Sequence, residues 1–120
     1  MTAIKISSTN QQNKKEIHTL CPVTFTLDKI GGRWKALIIY HLLSGAKRYG
    51  ELKKAIPAIT EKMLIQHLKQ MEADHIVFRE AKPVVPPHVI YSLTESGKEL
   101  KAMMKAMSVW GNKYNPNAKK

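Results

Sequence analysis

The single cysteine of the chain, Cys21, is the residue with the most chemical reactivity. It stands directly before Pro22 at the expected start of a helix, where the helix dipole stabilises a thiolate. Lys14, Lys15 and His18 precede it and add positive charge if that segment folds close by. Because a thiolate is oxidised or alkylated far more readily than a thiol, Cys21 is a candidate sensor of oxidants or electrophiles. The alternative is an inert, half-buried cysteine.

The histidines offer little further chemistry, because His18, His41, His67, His75 and His88 are scattered along the chain. No two of them are four residues apart, as a helical metal site would need. A glycine-rich phosphate cradle, an HExxH motif and a CxxC pair are all absent. His41 falls on the apolar face of a predicted helix and is most simply a core histidine. The sequence therefore predicts no enzyme, no metal site and no cofactor.

A helix predicted to follow Thr60 has one apolar face and one polar face. Thr60 is a favourable N-cap, and Pro57 ends the preceding helix. The apolar stripe consists of Leu64, Leu68 and Met71. The opposite face consists of Glu61, Lys62, Ile65, Gln66 and Lys69.

That polar face has the groups that distinguish base pairs in a major groove. Lys62 can donate to guanine, and Gln66 can pair with adenine, so both are candidate base readers. Ile65 can contact a thymine methyl group. Glu61 can accept from cytosine, although a Glu in the first turn of a helix more often favours the dipole.

Residues around this helix suit contacts with phosphates. The candidates for the DNA backbone are Arg48, Thr60, Lys53, Lys54 and Lys69. The candidates on a following hairpin are Arg79, Lys82 and His88. Each of these assignments has an alternative. Thr60 would only cap its helix, Arg79 would form an ion pair with Glu80, and each lysine would be a solvated surface charge.

The elements that position these side chains follow from periodicity and turn residues. We expect helices near residues 22–30, 33–43, 49–55 and 60–74, strands at 77–81 and 89–93, and a last helix capped by Thr94. The prolines between the strands give the hairpin a stiff tip. The prediction is a mainly helical α+β fold, a winged helix-turn-helix with a two-stranded β wing and N- and C-terminal dimerisation helices. The expected organisation is a flexible polar tail at 1–15, one domain at 16–115, and a loose basic tail at 116–120.

The last helix carries a broad apolar stripe that is rich in methionine. Either it folds back on the core of its own chain, or it forms the interface of a homodimer. The residues assigned to that interface are Leu100, Met103, Met104, Met107 and Trp110.

The charge of the chain points to an anionic partner. Its 20 Lys and Arg against nine Asp and Glu give a net charge of +11, and nucleic acid is the commonest large anion in a cell. No apolar run approaches the roughly 20 residues of a membrane-spanning helix, and no secretory signal core is present. One cysteine cannot form an internal disulfide, which favours a cytoplasmic location.

Several short segments occur in an order that is typical of one family. They are Cys21-Pro22-Val23, Ile30-Gly31-Gly32-Arg33-Trp34-Lys35, Arg48-Tyr49-Gly50-Glu51-Leu52, Ile59-Thr60-Glu61-Lys62-Met63-Leu64, Leu68-Lys69-Gln70-Met71-Glu72, Pro86-Pro87-His88-Val89-Ile90-Tyr91-Ser92-Leu93-Thr94 and Gly97. In this order they resemble the HxlR-type winged-helix transcription regulators, a group related to the MarR proteins.

The resemblance implies a homodimer with two recognition helices in successive major grooves of double-stranded DNA and two wings near flanking minor grooves. It also implies that Cys21 senses oxidants or electrophiles, as the cysteine at this position commonly does in the family. Two residues depart from the pattern. Ile65 stands where Thr or Ser is frequent, and His67 stands where Arg is common, which puts a phosphate contact in doubt.

Three functions are consistent with these sequence features. The favoured one is a sequence-specific transcription regulator, switched by Cys21 chemistry. The second is an architectural, nucleoid-type protein that binds DNA without sequence preference, but such a protein would favour Lys or Arg at the positions of Ile65 and Gln66. The third is a protein-interaction module, which would need neither the +11 charge nor a basic wing.

Overall fold

The computed structural model describes residues 21–86 and 88–118. Its elements, in chain order, are α1 (Pro22–Ile30), α2 (Gly32–Leu42), β1 (Lys47–Arg48), α3 (Tyr49–Ala55), α4 (Glu61–Ala73), β2 (Val77–Lys82), β3 (His88–Leu93), α5 (Glu95–Lys98) and α6 (Lys101–Tyr114). The described residues divide into two compact units, one ending at Gly32 and the other beginning at Arg33. The predicted tail at 1–15 and the basic residues Lys14, Lys15 and His18 lie outside the described residues.

In the first unit, α1 begins at Pro22 and ends before a pair of glycines. Cys21 is its N-cap, and Pro22 occupies the first helical position, where its missing N–H costs nothing. At the other end the Gly31 N–H donates to the Leu27 carbonyl over 2.7 Å. A Cβ on Gly31 would collide with that carbonyl oxygen, and Gly32 has a φ of +83°. Both positions therefore suit glycine alone.

In the second unit, the helices α2, α3, α4 and α6 and the sheet enclose one apolar core. The helix α4 buries Leu64, Leu68 and Met71, one side chain for each turn, as its sequence pattern predicts. The other buried apolar residues of this unit are Ile38, Ile39, Leu42, Leu52, Ile56, Ile59, Ile76, Val77, Tyr91, Leu93 and Met104. Burial on the inner side of α4 leaves its outer side free for another partner.

The sheet has three antiparallel strands in the order β1-β3-β2. The mainly helical α+β class and the two-stranded wing are confirmed, and the sheet has a third strand that was not predicted. Lys47 and Arg48 pair with Tyr91 and Ile90 as a third strand, which is too short to produce an alternating pattern in the sequence. The hairpin of β2 and β3 is called the wing below, and its last pair joins Lys82 to His88.

The turn between α4 and the wing is fixed by a Schellman motif. His75 has a φ of 60°, and its N–H donates to the Glu72 carbonyl over 3.0 Å. The Ile76 N–H donates to the Met71 carbonyl over 2.9 Å, which completes the motif. The left-handed residue sets the direction in which the chain enters β2.

Thr94 joins this turn to the end of β3. Its hydroxyl donates to the His75 carbonyl over 2.6 Å and accepts from the Gly97 N–H over 3.2 Å, so it is the predicted cap. A Cβ on Gly97 would collide with the Ile76 carbonyl oxygen, so glycine allows this close approach. The single last helix was a wrong prediction, because α5 ends at Lys98 and α6 begins at Lys101.

Candidate nucleic-acid interface

The helix α4, called the recognition helix below, presents its outer face to solvent. The Thr60 hydroxyl accepts from the Met63 N–H over 3.1 Å, as predicted for an N-cap. Ile65 is 42% exposed. The exposed residues on this face are Glu61, Lys62, Ile65, Gln66 and Lys69, the set that the sequence pattern assigns to it.

The helix that precedes it adds charge at one edge of this face. Glu51 Oε1 accepts from the Arg48 N–H over 2.7 Å, which closes the first turn of α3. Arg48 and Lys54 are exposed. Lys53 is half-buried, and its Nζ lies 3.4 Å from the Pro57 carbonyl oxygen, so its ammonium group is directed towards the turn before the recognition helix.

A cleft of about 800 Å³ separates the recognition helix from the wing. Six of the predicted DNA-binding residues line it, and so do the acidic residues Glu51 and Glu72. The six are Arg48, Lys54, Ile65, Lys69, Arg79 and His88. Side chains from β1, α3, the recognition helix and both strands of the wing thus form one mainly positive surface.

The charged residues of the wing lie along its two strands and at the base of its tip. Arg79 is exposed and lies opposite Tyr91 in the ladder. Glu80 pairs with Lys82 over 3.6 Å, at a site where both side chains remain in water, so this pair contributes little stability. Lys82 and His88 face each other where the ladder ends, at the base of the wing tip.

Tyr49 is a functional candidate that the sequence analysis did not identify. It lines the cleft, and its hydroxyl is buried without a hydrogen-bond partner in the described part of the chain. Burial raises the pKa of this hydroxyl, and the negative charge of Glu61 raises it further, as would that of Tyr91 once ionised. The group therefore stays protonated and can donate to an anion.

His67 lies on the packed side of the recognition helix rather than on its outer face. The side chain is half-buried, and its Nδ1 is buried without a partner among the residues described. Burial lowers the pKa of His67, the charge of Lys35 lowers it further, and a hydrogen bond with Gln70 opposes both effects. A neutral, half-buried imidazole is poorly suited to contact a phosphate.

Cys21 is a half-buried free cysteine at the start of α1. The pKa of its thiol is lowered, chiefly by the Thr24 side chain and then by the Thr24 and Val23 N–H groups, while slight desolvation opposes them. The neutral thiol makes no capping hydrogen bond. The direction agrees with a reactive cysteine, and the groups of the described chain that lower this pKa lie in the first turn of α1.

Two helices, α1 and α6, each carry three or more large apolar side chains that remain in water. On α1 these are Val23, Phe25 and Leu27. On α6 they are Met107, Val109, Trp110 and Tyr114, and the rings of Trp110 and Tyr114 lie 5.1 Å apart. Of the other residues assigned to a dimer interface, Leu100 and Met103 are half-buried, whereas Met104 is buried in the core.

Other kinds of site are missing from the part of the chain that the structure describes. Within residues 21–86 and 88–118, no helix is both long and apolar enough to cross a membrane. In the same residues no group of three or more His, Cys, Asp or Glu side chains could hold a metal ion.

Comparison with known proteins gives one consistent result. The sequence profile of the HxlR-like helix-turn-helix family matches residues 29–119. The HTH-type transcriptional regulator YybR of Bacillus subtilis is 50% identical over 91 residues, which cover 76% of this chain and 73% of that protein.

Solved structures agree with the sequence matches. The redox regulator HypR in its oxidized form superposes with a TM-score of 0.76 at 47% identity, over 79% of this chain and 98% of that one. The reduced form of the transcriptional regulator YodB from B. subtilis gives a TM-score of 0.69 at 38% identity, over 83% of this chain and 99% of that one. The winged-helix class predicted from the sequence is thereby confirmed.

Proposed function

This chain belongs to the HxlR-like helix-turn-helix family and is a DNA-binding transcription regulator; from this premise we propose that it binds its operator as a homodimer and is switched at Cys21. Transcription regulation is not an enzymatic class of activity, and our proposal assigns no residue a catalytic role. The proposed location is the cytoplasm.

The observation that carries the DNA-binding part is the cleft between the recognition helix and the wing. It joins an exposed helix face of mixed chemistry to four basic side chains from four neighbouring elements, which are Arg48 of β1, Lys54 of α3, Arg79 of β2 and His88 of β3. A surface that bound phosphates alone would need only the basic residues. The exposed Ile65 and Gln66 beside them favour contact with base edges, and therefore sequence-specific binding.

In the proposed complex the recognition helix enters the major groove. Lys62 and Gln66 then donate to purine edges, Ile65 contacts a thymine methyl group, and Glu61 accepts from a cytosine amino group. Residues around the cleft contact the phosphates and fix the register of the helix. This second set consists of Arg48, Thr60, Lys53, Lys54 and Lys69, with Arg79, Lys82 and His88 on the wing.

We further propose that the exposed apolar residues of α1 and α6 are covered in a homodimer. The dimer surface on α6 centres on Met107 and Trp110, with Leu100 and Met103 at its half-buried edge. Aromatic and methionine side chains are enriched at such interfaces. A two-fold dimer would direct two recognition helices towards half-sites one helical turn apart.

The proposed switch starts from the thiolate of Cys21. Because the chain has one cysteine, oxidation by diamide would join Cys21 to Cys21 of the partner subunit or to a small-molecule thiol. In either case two thiols lose two protons and two electrons, which the azo group of diamide takes up. Electrophiles would instead alkylate the sulfur. Two of the structural relatives support this part of the proposal, because one is named a redox regulator and the other was studied after diamide treatment.

The first experiment is fluorescence anisotropy of the reduced protein on the DNA upstream of its own gene and on duplexes selected from a random pool. A scrambled duplex of equal length is the competitor. We expect a preference of roughly 10³-fold or more for the best duplex at physiological salt. Equal, steeply salt-dependent binding to every duplex would instead establish the architectural function.

The switch is tested by diamide on the wild type and on Cys21→Ser. We expect diamide to change the DNA affinity of the wild type and to leave the variant unchanged. Electrophoresis without reductant separates a covalent dimer from a capped monomer. A Cys21→Ser protein that still responds to diamide would exclude the proposed sensor.

A further inference from the structure

The tip of the wing contains Val85, which has the largest exposed fraction among the large apolar residues of the described chain. The described residues of the tip are 83–86. Val85 is 99% exposed, and its neighbour Val84 is 46% exposed. Both lie beyond the last pair of the ladder, between Lys82 and His88. Neither side chain is part of the core, so nothing in the fold of the described residues requires them to be apolar.

The surroundings of the tip indicate what kind of partner covers it. The stem of the wing carries Arg79, Lys82 and His88, and the cleft beside it is mainly positive. An apolar tip on a basic stem is complementary to a partner with an anionic surface and an apolar interior. Double-stranded DNA has both, because its phosphates line grooves whose floor is formed by stacked bases.

The size of the tip fits the narrower of the two grooves. The chain bends at Val84, Val85 and Pro86, and Val85 is the third residue after Lys82, so the tip reaches at most about 10 Å beyond the last ladder pair. The minor groove of B-DNA is roughly 6 Å wide and 7.5 Å deep. A tip of this length, with two branched aliphatic side chains and little width, can therefore reach the base pairs while the stem stays near the phosphates.

We propose that Val85, supported by Val84, is an apolar wedge that enters the minor groove and partly separates one base-pair step. This inference rests on the proposed function, because the recognition helix must first bring the wing to the duplex. Its consequence is a bend in the DNA beside each half-site. The cost of separating a step is smallest at flexible pyrimidine–purine steps, so the wedge would favour such steps at positions where no side chain reads a base.

The test compares three variants on one duplex selected from a random pool by the wild-type protein. Val85→Ser removes the apolar group, and Val85→Leu retains it. Lys82→Gln removes a charge from the stem and is the matched control for lost phosphate contact. Val85 is almost fully exposed, so its replacement leaves the core intact. Three quantities are measured: the affinity, the bend angle from energy transfer between labelled duplex ends, and the fluorescence of 2-aminopurine placed at the flanking steps.

We expect the wild type to bend the duplex by about 20° or more and to raise 2-aminopurine fluorescence at one step. Val85→Ser should lose most of the bend and the fluorescence signal, with about a tenfold weaker affinity, the factor expected when one valine side chain is no longer buried. Val85→Leu should keep both signals. Lys82→Gln should weaken binding and reduce its salt dependence but leave the bend unchanged.

Different results separate the possible failures. An unchanged bend and fluorescence in Val85→Ser, with specific binding intact, would overturn the wedge and leave the proposed function standing. A wild-type protein that selects no duplex would overturn both. If Val85→Ser instead reduces self-association in sedimentation, or binding to phosphatidylglycerol vesicles, while the bend persists, the tip belongs to a second copy or to a lipid surface and the wedge is wrong.

Discussion

Replacing Lys69 with Gln should reduce the salt dependence of DNA binding without changing which sequence is preferred. Lys69 is exposed on the recognition helix, lines the positive cleft, and makes no ion pair within the described part of the chain. Each phosphate contact contributes about 0.9 to the slope of log affinity against log salt, so two protomers lose about 1.8. If both salt titrations meet near 1 M salt, the loss at about 0.15 M is roughly 30-fold.

The measurement is a salt titration of anisotropy on the selected duplex and on its scrambled counterpart. Lys101→Gln is the matched control, because it removes the same charge beside a different cavity, near Gly45 and Leu93. We expect its slope to equal that of the wild type. The assignment of Lys69 to a phosphate would be refuted if Lys69→Gln kept the full slope, or if it weakened binding to the selected duplex alone.

Three further changes test other parts of the structure. Gln66→Ala should lower the preference for the selected duplex by tenfold or more, because it removes a base contact, while the slope of log affinity against log salt stays constant. An unchanged preference in competition anisotropy would argue against that role. Thr94→Ala should lower the free energy of unfolding in urea by about 1–2 kcal/mol, whereas Thr94→Ser should retain most of it, and equal losses would contradict a role for the hydroxyl. The pKa of His67 is lower in the folded chain than its unfolded value of 6.5, so at acid pH the unfolded chain binds more protons than the folded one. The folded state is therefore fully stable above pH 6.5 with respect to this residue. That stability is lost as the pH falls through the lower pKa of the folded state. Urea unfolding between about pH 8 and about pH 5 should therefore show a smaller loss for His67→Gln than for the wild type, and parallel curves would exclude the effect.

Local features of the sequence predicted much of the fold because their signals are contained within a few residues. Both threonine caps, Thr60 and Thr94, accept the hydrogen bonds expected of them. The spacing of Leu64, Leu68 and Met71 predicted which side of the recognition helix is buried and therefore which side is exposed. The base and phosphate contacts assigned to that exposed side stay predictions, because the structure contains no DNA.

Features that depend on contacts between distant residues were missed. The strand β1 has two residues, and only its pairing with β3 makes it a strand. Ile38 and Ile39 are both fully buried although neighbouring residues point to different sides of a helix, so α2 is covered on more than one side and a single apolar stripe does not describe its burial. The hydroxyl of Tyr49 is buried near the start of the recognition helix and β3, which are distant from Tyr49 in the sequence. No local sequence pattern predicts such a contact.

The unequal strands of the sheet give the two halves of the wing different local stabilities. Within the described sheet, β3 has a neighbour on both sides only at Ile90 and Tyr91, whereas His88 and Val89 pair with β2 alone. Opening the outer half breaks fewer hydrogen bonds, so its amides should exchange with solvent faster than those of the inner half. The outer ribbon can therefore twist to follow grooves of different width while the recognition helix stays fixed on the core. Adaptation to several operators would then require no change in the part of the domain that reads their bases.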